Sequence, residues 1–175
     1  MSELRTNRIV PRDGLPSGSS GGIIQIKSAT KTDRQLSNSS SYVDVTGMSV
    51  TITPTRSDSK IFIMINVHVG GDQASYHAYR VLRDSTVVTQ GTHATGSRTN
   101  VSFGGRIDQD YDNYMMSFNF LDSPSTTSAT TYKLQVSDAF DSSNRNIVIN
   151  GTGDDANDTY TLCGTSTITV MEVTG

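Results

Sequence analysis

The stretch Lys60-Ile61-Phe62-Ile63-Met64-Ile65-Asn66-Val67-His68-Val69 decides the fold, because no other part of the chain is as long and as apolar. Ile61, Ile63, Ile65, Val67 and Val69 recur at every second position. Side chains along a β-strand alternate between its two faces, so these five share one face. The opposite face reads Phe62, Met64, Asn66, His68, apolar where it starts and polar where it ends. A wholly apolar strand face packs on a second sheet. The half-apolar face is expected to be covered over part of its length only, and another copy of the chain is the expected cover.

The same period-two reading extends outward from this strand. Before it, residues 42–46 and 48–53 alternate on either side of Gly47, with Met48, Val50 and Ile52 inward, and Pro54 with residues 56–59 turns the chain. After it, Gly70-Gly71-Asp72 closes the strand, and residues 76–82 and 86–90 form a hairpin about Arg83-Asp84-Ser85. A weak strand at 101–107 carries Gly104-Gly105 and is expected there to bulge or to approach a neighbour closely. In 114–121, Tyr114, Met116, Phe118 and Phe120 share one face, with Met115 and Leu121 opposite. Residues 131–136 place Tyr132, Leu134 and Val136 inward, 146–150 is short and apolar, and 165–173 is the last strand. At the front, 23–26 is a first strand and 31–41 reads as a polar loop. About ten short strands and no helix specify an all-β, antiparallel sandwich or barrel. No fixed-period repeat is present, which argues against a propeller or a β-helix.

Residues 1–22 differ from the rest. Pro11, Pro16, Gly14, Gly18, Gly21 and Gly22 break regular structure, so this segment reads as an arm and linker ahead of a head domain at 23–175. Leu4, Ile9 and Val10 are its large apolar residues before Leu15, and the 2–10 segment has the alternation of a strand that orders against a partner.

Composition excludes several functions. The chain has 175 residues, with 14 Lys and Arg against 17 Asp and Glu and no basic stripe, so nucleic-acid binding is not expected. It lacks an apolar run of about 18 residues, so membrane insertion is not expected either. The first residues carry no apolar signal segment, and Cys163 is the single cysteine. Together these suggest synthesis in a reducing cytoplasm, with Cys163 as a small buried hydrophobe.

No catalytic constellation emerges. His68, His77 and His93 lack metal-ligand spacing, and no nucleophile elbow or phosphate loop occurs. Asp108, Asp110 and Asp112 alternate, and Asp154, Asp155 and Asp158 share a loop, but neither group follows the calcium-loop pattern. These are read as solvated turns, and no metal, cofactor or enzymatic activity is expected. Tyr76, Tyr79, Tyr111 and Tyr132 are candidates for stacking on sugar.

Several stretches resemble one family. Ser2-Glu3-Leu4-Arg5-Thr6-Asn7-Arg8-Ile9-Val10-Pro11-Arg12-Asp13-Gly14-Leu15-Pro16-Ser17-Gly18 is similar to the attachment segment that begins many bacteriophage fibre and appendage proteins. The run from Ser41 to Pro54 with Ser59-Lys60-Ile61-Phe62-Ile63-Met64, the turn Leu82-Arg83-Asp84-Ser85-Thr86, Ser117 to Pro124 with Thr131-Tyr132-Lys133-Leu134, and Gly164 to Val173 resemble the small jelly-roll virion proteins of tailed bacteriophages, particularly marine and cyanobacterial ones. The resemblance implies a jelly-roll sandwich related to complement and tumour-necrosis-factor heads, assembled as a homotrimer. It implies a fibre, knob or decoration in the virion, made in the host cytoplasm and without catalytic residues. Partners would be sister chains, other capsid or tail proteins and a host-surface glycan, with loops 70–75, 92–100 and 151–159 as candidates for host contact. Phe62, Met64, Met115 and Leu121 are then the expected trimer interface, and Leu4, Ile9 and Val10 the expected virion anchor. The competing reading is a soluble, monomeric carbohydrate-binding β-sandwich module.

Overall fold

The computed structural model describes residues 22–139 and 145–174. Among them run eleven strands: β1 (Ile23–Lys31), β2 (Gln35–Ser37), β3 (Val43–Ile52), β4 (Lys60–Gly71), β5 (Ser75–Arg83), β6 (Thr86–Val87), β7 (Phe103–Ile107), β8 (Asn113–Asp122), β9 (Thr130–Asp138), β10 (Ile147–Ile149) and β11 (Ser166–Val173). All pairings are antiparallel.

In the first sheet β4 lies between β8 and β11, and β1 forms the edge beyond β11. Where β11 leaves β4 at Asn66, β10 takes over at Val69 and carries β2 on its far side. In the second sheet the order is β3, β9, β5, and the far side of β5 is shared by β6 and β7. Taking the long strands β1, β3, β4, β5, β7, β8, β9 and β11 in chain order, one sheet runs first, eighth, third, sixth and the other second, seventh, fourth, fifth. Consecutive strands thus alternate between sheets, except the paired fourth and fifth (β5 and β7), in the jelly-roll order. The sandwich read from period-two alternation is the one that forms.

Ile61, Ile63, Ile65, Val67 and Val69 are all fully buried and face Tyr79, Val81, Tyr132, Leu134 and Val136 of the second sheet. Each such side chain contributes about 1.5–3 kcal/mol by leaving water. A polar clasp ties the sheets at one end. Asp122 of β8 accepts hydrogen bonds from the Tyr132 hydroxyl at 2.7 Å and from Arg83 Nη1 at 2.8 and 3.0 Å. Burial and the neighbouring Asp122 carboxylate both push the Tyr132 hydroxyl above its ordinary pKa.

Strand limits depart from the sequence reading in informative places. β1 continues to Lys31, because Ser28, Ala29 and Thr30 stay paired with β11. Residues 35–37, read as loop, pair with β10. The two runs at 42–46 and 48–53 fall on one strand, β3, which spans Val43–Ile52. Gly47 adopts φ +83°, and the register to β9 shifts between Asp44 and Ser49. That bulge resets the alternation, so Val45 and Met48, three apart, both reach the core.

Candidate functional site

The outward face of the first sheet carries a continuous apolar row. Ile26 pairs with Met171, Met171 with Phe62, and Phe62 with Leu121, so one rung crosses four strands. None of the four points into the sandwich, since their neighbours Ile61, Ile63 and Val170 fill it. Ile26 is 54% exposed and Leu121 51%, while Phe62 and Met171, on the inner strands, are half-buried. A second β-bulge extends the row. The β1 register slips at Ile24, so Ile23 sits opposite Val173 on the same outward face as Ile26.

Polarity rises along the same face. The next rung is Ser28, Thr169, Met64 and Asn119, and the one after is Thr30, Thr167, Asn66 and Ser117. Ser117 Oγ donates to Asn66 Oδ1 at 2.7 Å, and Ser28 and Thr169 hydroxyls bond at 2.9 Å. The structure therefore gathers Phe62, Met64 and Leu121. Met115 is 55% exposed but pairs with His68, six residues along β8 from Leu121. At about 3.3 Å per residue it stands roughly 20 Å from the apolar row. The His68 ring bonds Asn113 Oδ1 at 3.0 Å and is covered by Gly164, where any Cβ would collide with it. Ile23, Ile26 and Met171 join the surface without having been singled out by sequence, because their alignment depends on strand register. Leu4, Ile9 and Val10 lie outside the described residues.

The apolar row occupies the end of the sandwich at which the described chain begins, with the Thr174 amide bonded to the Gly22 carbonyl at 3.2 Å. The opposite end of β4 lies roughly 30 Å from Phe62 at about 3.3 Å per residue. There loops 72–74, 108–112 and 150–165 knit together. Asp154 N donates to the Asp110 carbonyl at 3.0 Å, and Gln73 N donates to the Asp110 carboxylate. Gly70 permits the close approach, since a Cβ there would strike the Gly151 carbonyl. Asn150, at φ +64°, is a junction: its Nδ2 donates to the Lys31 and Asp33 carbonyls at 2.9 and 3.1 Å, and its Oδ1 accepts from Ser166 at 2.6 Å. Between these loops opens a cleft of about 480 Å³ lined by Tyr111, Asp154, Asp158, Tyr160 and Thr161.

Three sequence expectations are corrected. Cys163 is exposed, because it lies in the long loop before β11 with no sheet packed over it. Tyr79 and Tyr132 are fully buried and cannot stack on sugar, since both point from the second sheet into the core. Tyr111 is 60% exposed, and Tyr160, absent from the candidates, is 73% exposed.

Alternation along β5 sets Ser75, His77 and Tyr79 on one face, with Ser75 Oγ 3.1 Å from His77 Nε2 and Tyr79 OH 3.1 Å from Nδ1. All three are buried, out of reach of any substrate, and burial depresses the His77 pKa from 6.5 to about 4. Among the described residues no group of three or more His, Cys, Asp or Glu is placed to hold a metal ion.

No protein-family model matches the chain, and no curated protein matches it. Among solved structures it is similar to a chain of the infectious bursal disease virus Gt strain, at 12% identity and a TM-score of 0.47 over 98% of this chain and 43% of that one. A chain of the Gx strain gives 15% identity and a TM-score of 0.46 over 98% and 42%. The VP2 subviral particle of the same virus gives 12% and 0.39 over 98% and 46%. The chain spans less than half the length of each. At this identity and superposition nothing said of those particles passes to this chain.

Proposed function

We propose that this chain is a virion structural protein of a tailed bacteriophage, a homotrimeric jelly-roll head held on capsid or tail by residues 1–22. The observation that carries this reading is the apolar rung Ile26–Met171–Phe62–Leu121 on the outward face of the first sheet. An isolated sandwich would set polar residues there. A contiguous exposed apolar row is what an obligate interface between copies leaves when one copy is viewed alone. The row lies at the end of the sandwich where Gly22 meets Thr174, and the knitted loops lie at the other end, which supports the reading. The attachment-like sequence of residues 2–18 supplies the virion side of the proposal.

The test has two arms. Light scattering of the full chain should report three copies at every concentration measured; a monomer throughout sinks the trimer. Deletion of residues 1–22 should leave the β-sheet circular dichroism and the trimer intact while abolishing incorporation into particles. Undiminished incorporation would sink the anchoring role.

A further inference from the structure

We infer that the distal cleft between the 108–112 turn and the 151–162 loop binds a neutral saccharide. For its biological setting, a host-surface glycan, the inference rests on the proposed virion role; for its chemistry it rests on the cleft alone.

Two aromatic rings stand in the cleft wall, Tyr111 and Tyr160, 60% and 73% exposed. Neither belongs to the core cluster. An exposed ring offers a flat apolar face with a hydroxyl at its rim, which suits the C–H face of a pyranose. The polar groups beside the rings suit the rest of a sugar. Asp158 Oδ1 accepts from Tyr160 N at 2.8 Å and Thr161 N at 3.1 Å, which fixes the carboxylate in place. Asp154 Oδ1 accepts from Ala156 N at 3.1 Å. Among the described residues no hydrogen bond or ion pair engages Oδ2 of either aspartate, so each keeps an acceptor oxygen for a sugar hydroxyl. Hydrogen bonds to an ionised carboxylate are the stronger kind.

The walls are held before any ligand arrives. The Asp154 amide bonds the Asp110 carbonyl at 3.0 Å, which locks the two loops to each other. A pre-formed concave site with a few fixed polar groups loses little entropy on binding.

Charge selects the class. Asp154 and Asp158 line the cleft, Asp110 and Asp112 flank Tyr111 in sequence, and Asp155, beside Asp154, pairs with Arg34 at 3.3 Å. An anionic sugar would meet uncompensated repulsion. The position, at the end of the sandwich remote from Gly22, leaves the cleft open when the apolar row is covered.

The experiment is an array of immobilised neutral hexose and N-acetylhexosamine oligosaccharides printed beside sialylated ones, probed with the labelled full chain. Binding to neutral oligosaccharides and not to sialylated ones is expected. Tyr160→Ala and Tyr111→Ala should each lose at least tenfold in signal, and Asp158→Asn several-fold, with circular dichroism and solution mass unchanged. Tyr76→Ala, an exposed tyrosine elsewhere, should bind as the parent does. No binding to any neutral oligosaccharide overturns the inference, as does equal loss from Tyr76→Ala and Tyr160→Ala. Solution mass and particle incorporation report on the virion proposal separately, so a trimer that incorporates but binds no sugar refutes only the cleft.

Discussion

Phe62 and Leu121 are cross-strand partners on β4 and β8, and both face away from the core that Ile61 and Ile63 fill. One strand thus presents a wholly apolar face to the core and a second face that is apolar only at Phe62 and Met64. Phe62→Asp places a charge on the outward row and should dissociate the proposed trimer while the domain stays folded. Ile63→Asp places a charge where no solvent reaches, and should prevent folding. Solution mass and circular dichroism on both variants decide the matter; matching outcomes would mean the two faces are not distinct.

The buried His77 predicts acid sensitivity. Its pKa falls from 6.5 to about 4 on folding, because burial penalises the imidazolium. The unfolded chain therefore binds the proton more readily. The stabilisation is fully present above pH 6.5 and declines as pH falls from 6.5 to about 4. The loss is about 3 kcal/mol over that window. Urea unfolding of the parent and His77→Gln, compared from pH 7 to 4 at one protein concentration, should show a shallower decline in the variant. Parallel curves would remove His77 as the source.

The clasp at Asp122 should behave unequally toward its partners. Asp122→Ala leaves the buried Tyr132 hydroxyl and the Arg83 guanidinium without their acceptor, and should destabilise the fold by about 3 kcal/mol. Tyr132→Phe removes one donor while Arg83 still neutralises the carboxylate, and should cost about 1 kcal/mol. Denaturant midpoints measure both, and a larger effect from Tyr132→Phe would contradict the ordering.

Asn150 combines a left-handed backbone with a buried side chain that joins β1, β10 and β11. Asn150→Ala should cost about 3 kcal/mol through lost hydrogen bonds and strained φ. Asn150→Gly loses the same hydrogen bonds but relaxes the backbone, and should recover about 1 kcal/mol of it. Thermal midpoints that coincide for the two variants would show that the backbone contributes nothing.

Much of the sandwich was legible in local alternation. Ile61 through Val69 announced the inward row of β4, and Tyr132, Leu134 and Val136 that of β9, because a strand repeats its faces every second residue whatever lies beside it. Cys163 misled, since a small apolar residue gives no sign of whether a sheet will pack over its loop. Tyr160 was passed over for a related reason: its exposure follows from how the 150–165 loop folds against the 108–112 turn, and its immediate neighbours do not encode that.

The sequence by itself determined that this chain is all-β, that β4 is its central apolar strand, and that Phe62 and Met64 lie opposite the Ile and Val row. Those are properties of one strand at a time. Only the tertiary structure decided that Ile26, Met171, Phe62 and Leu121 stand on one rung, and that Tyr111 and Tyr160 line one cleft. These residues lie far apart along the chain. What aligns them is strand register in the first sheet and the packing of loops at its far end, where a slip of one residue along a strand would turn every side chain to the other face.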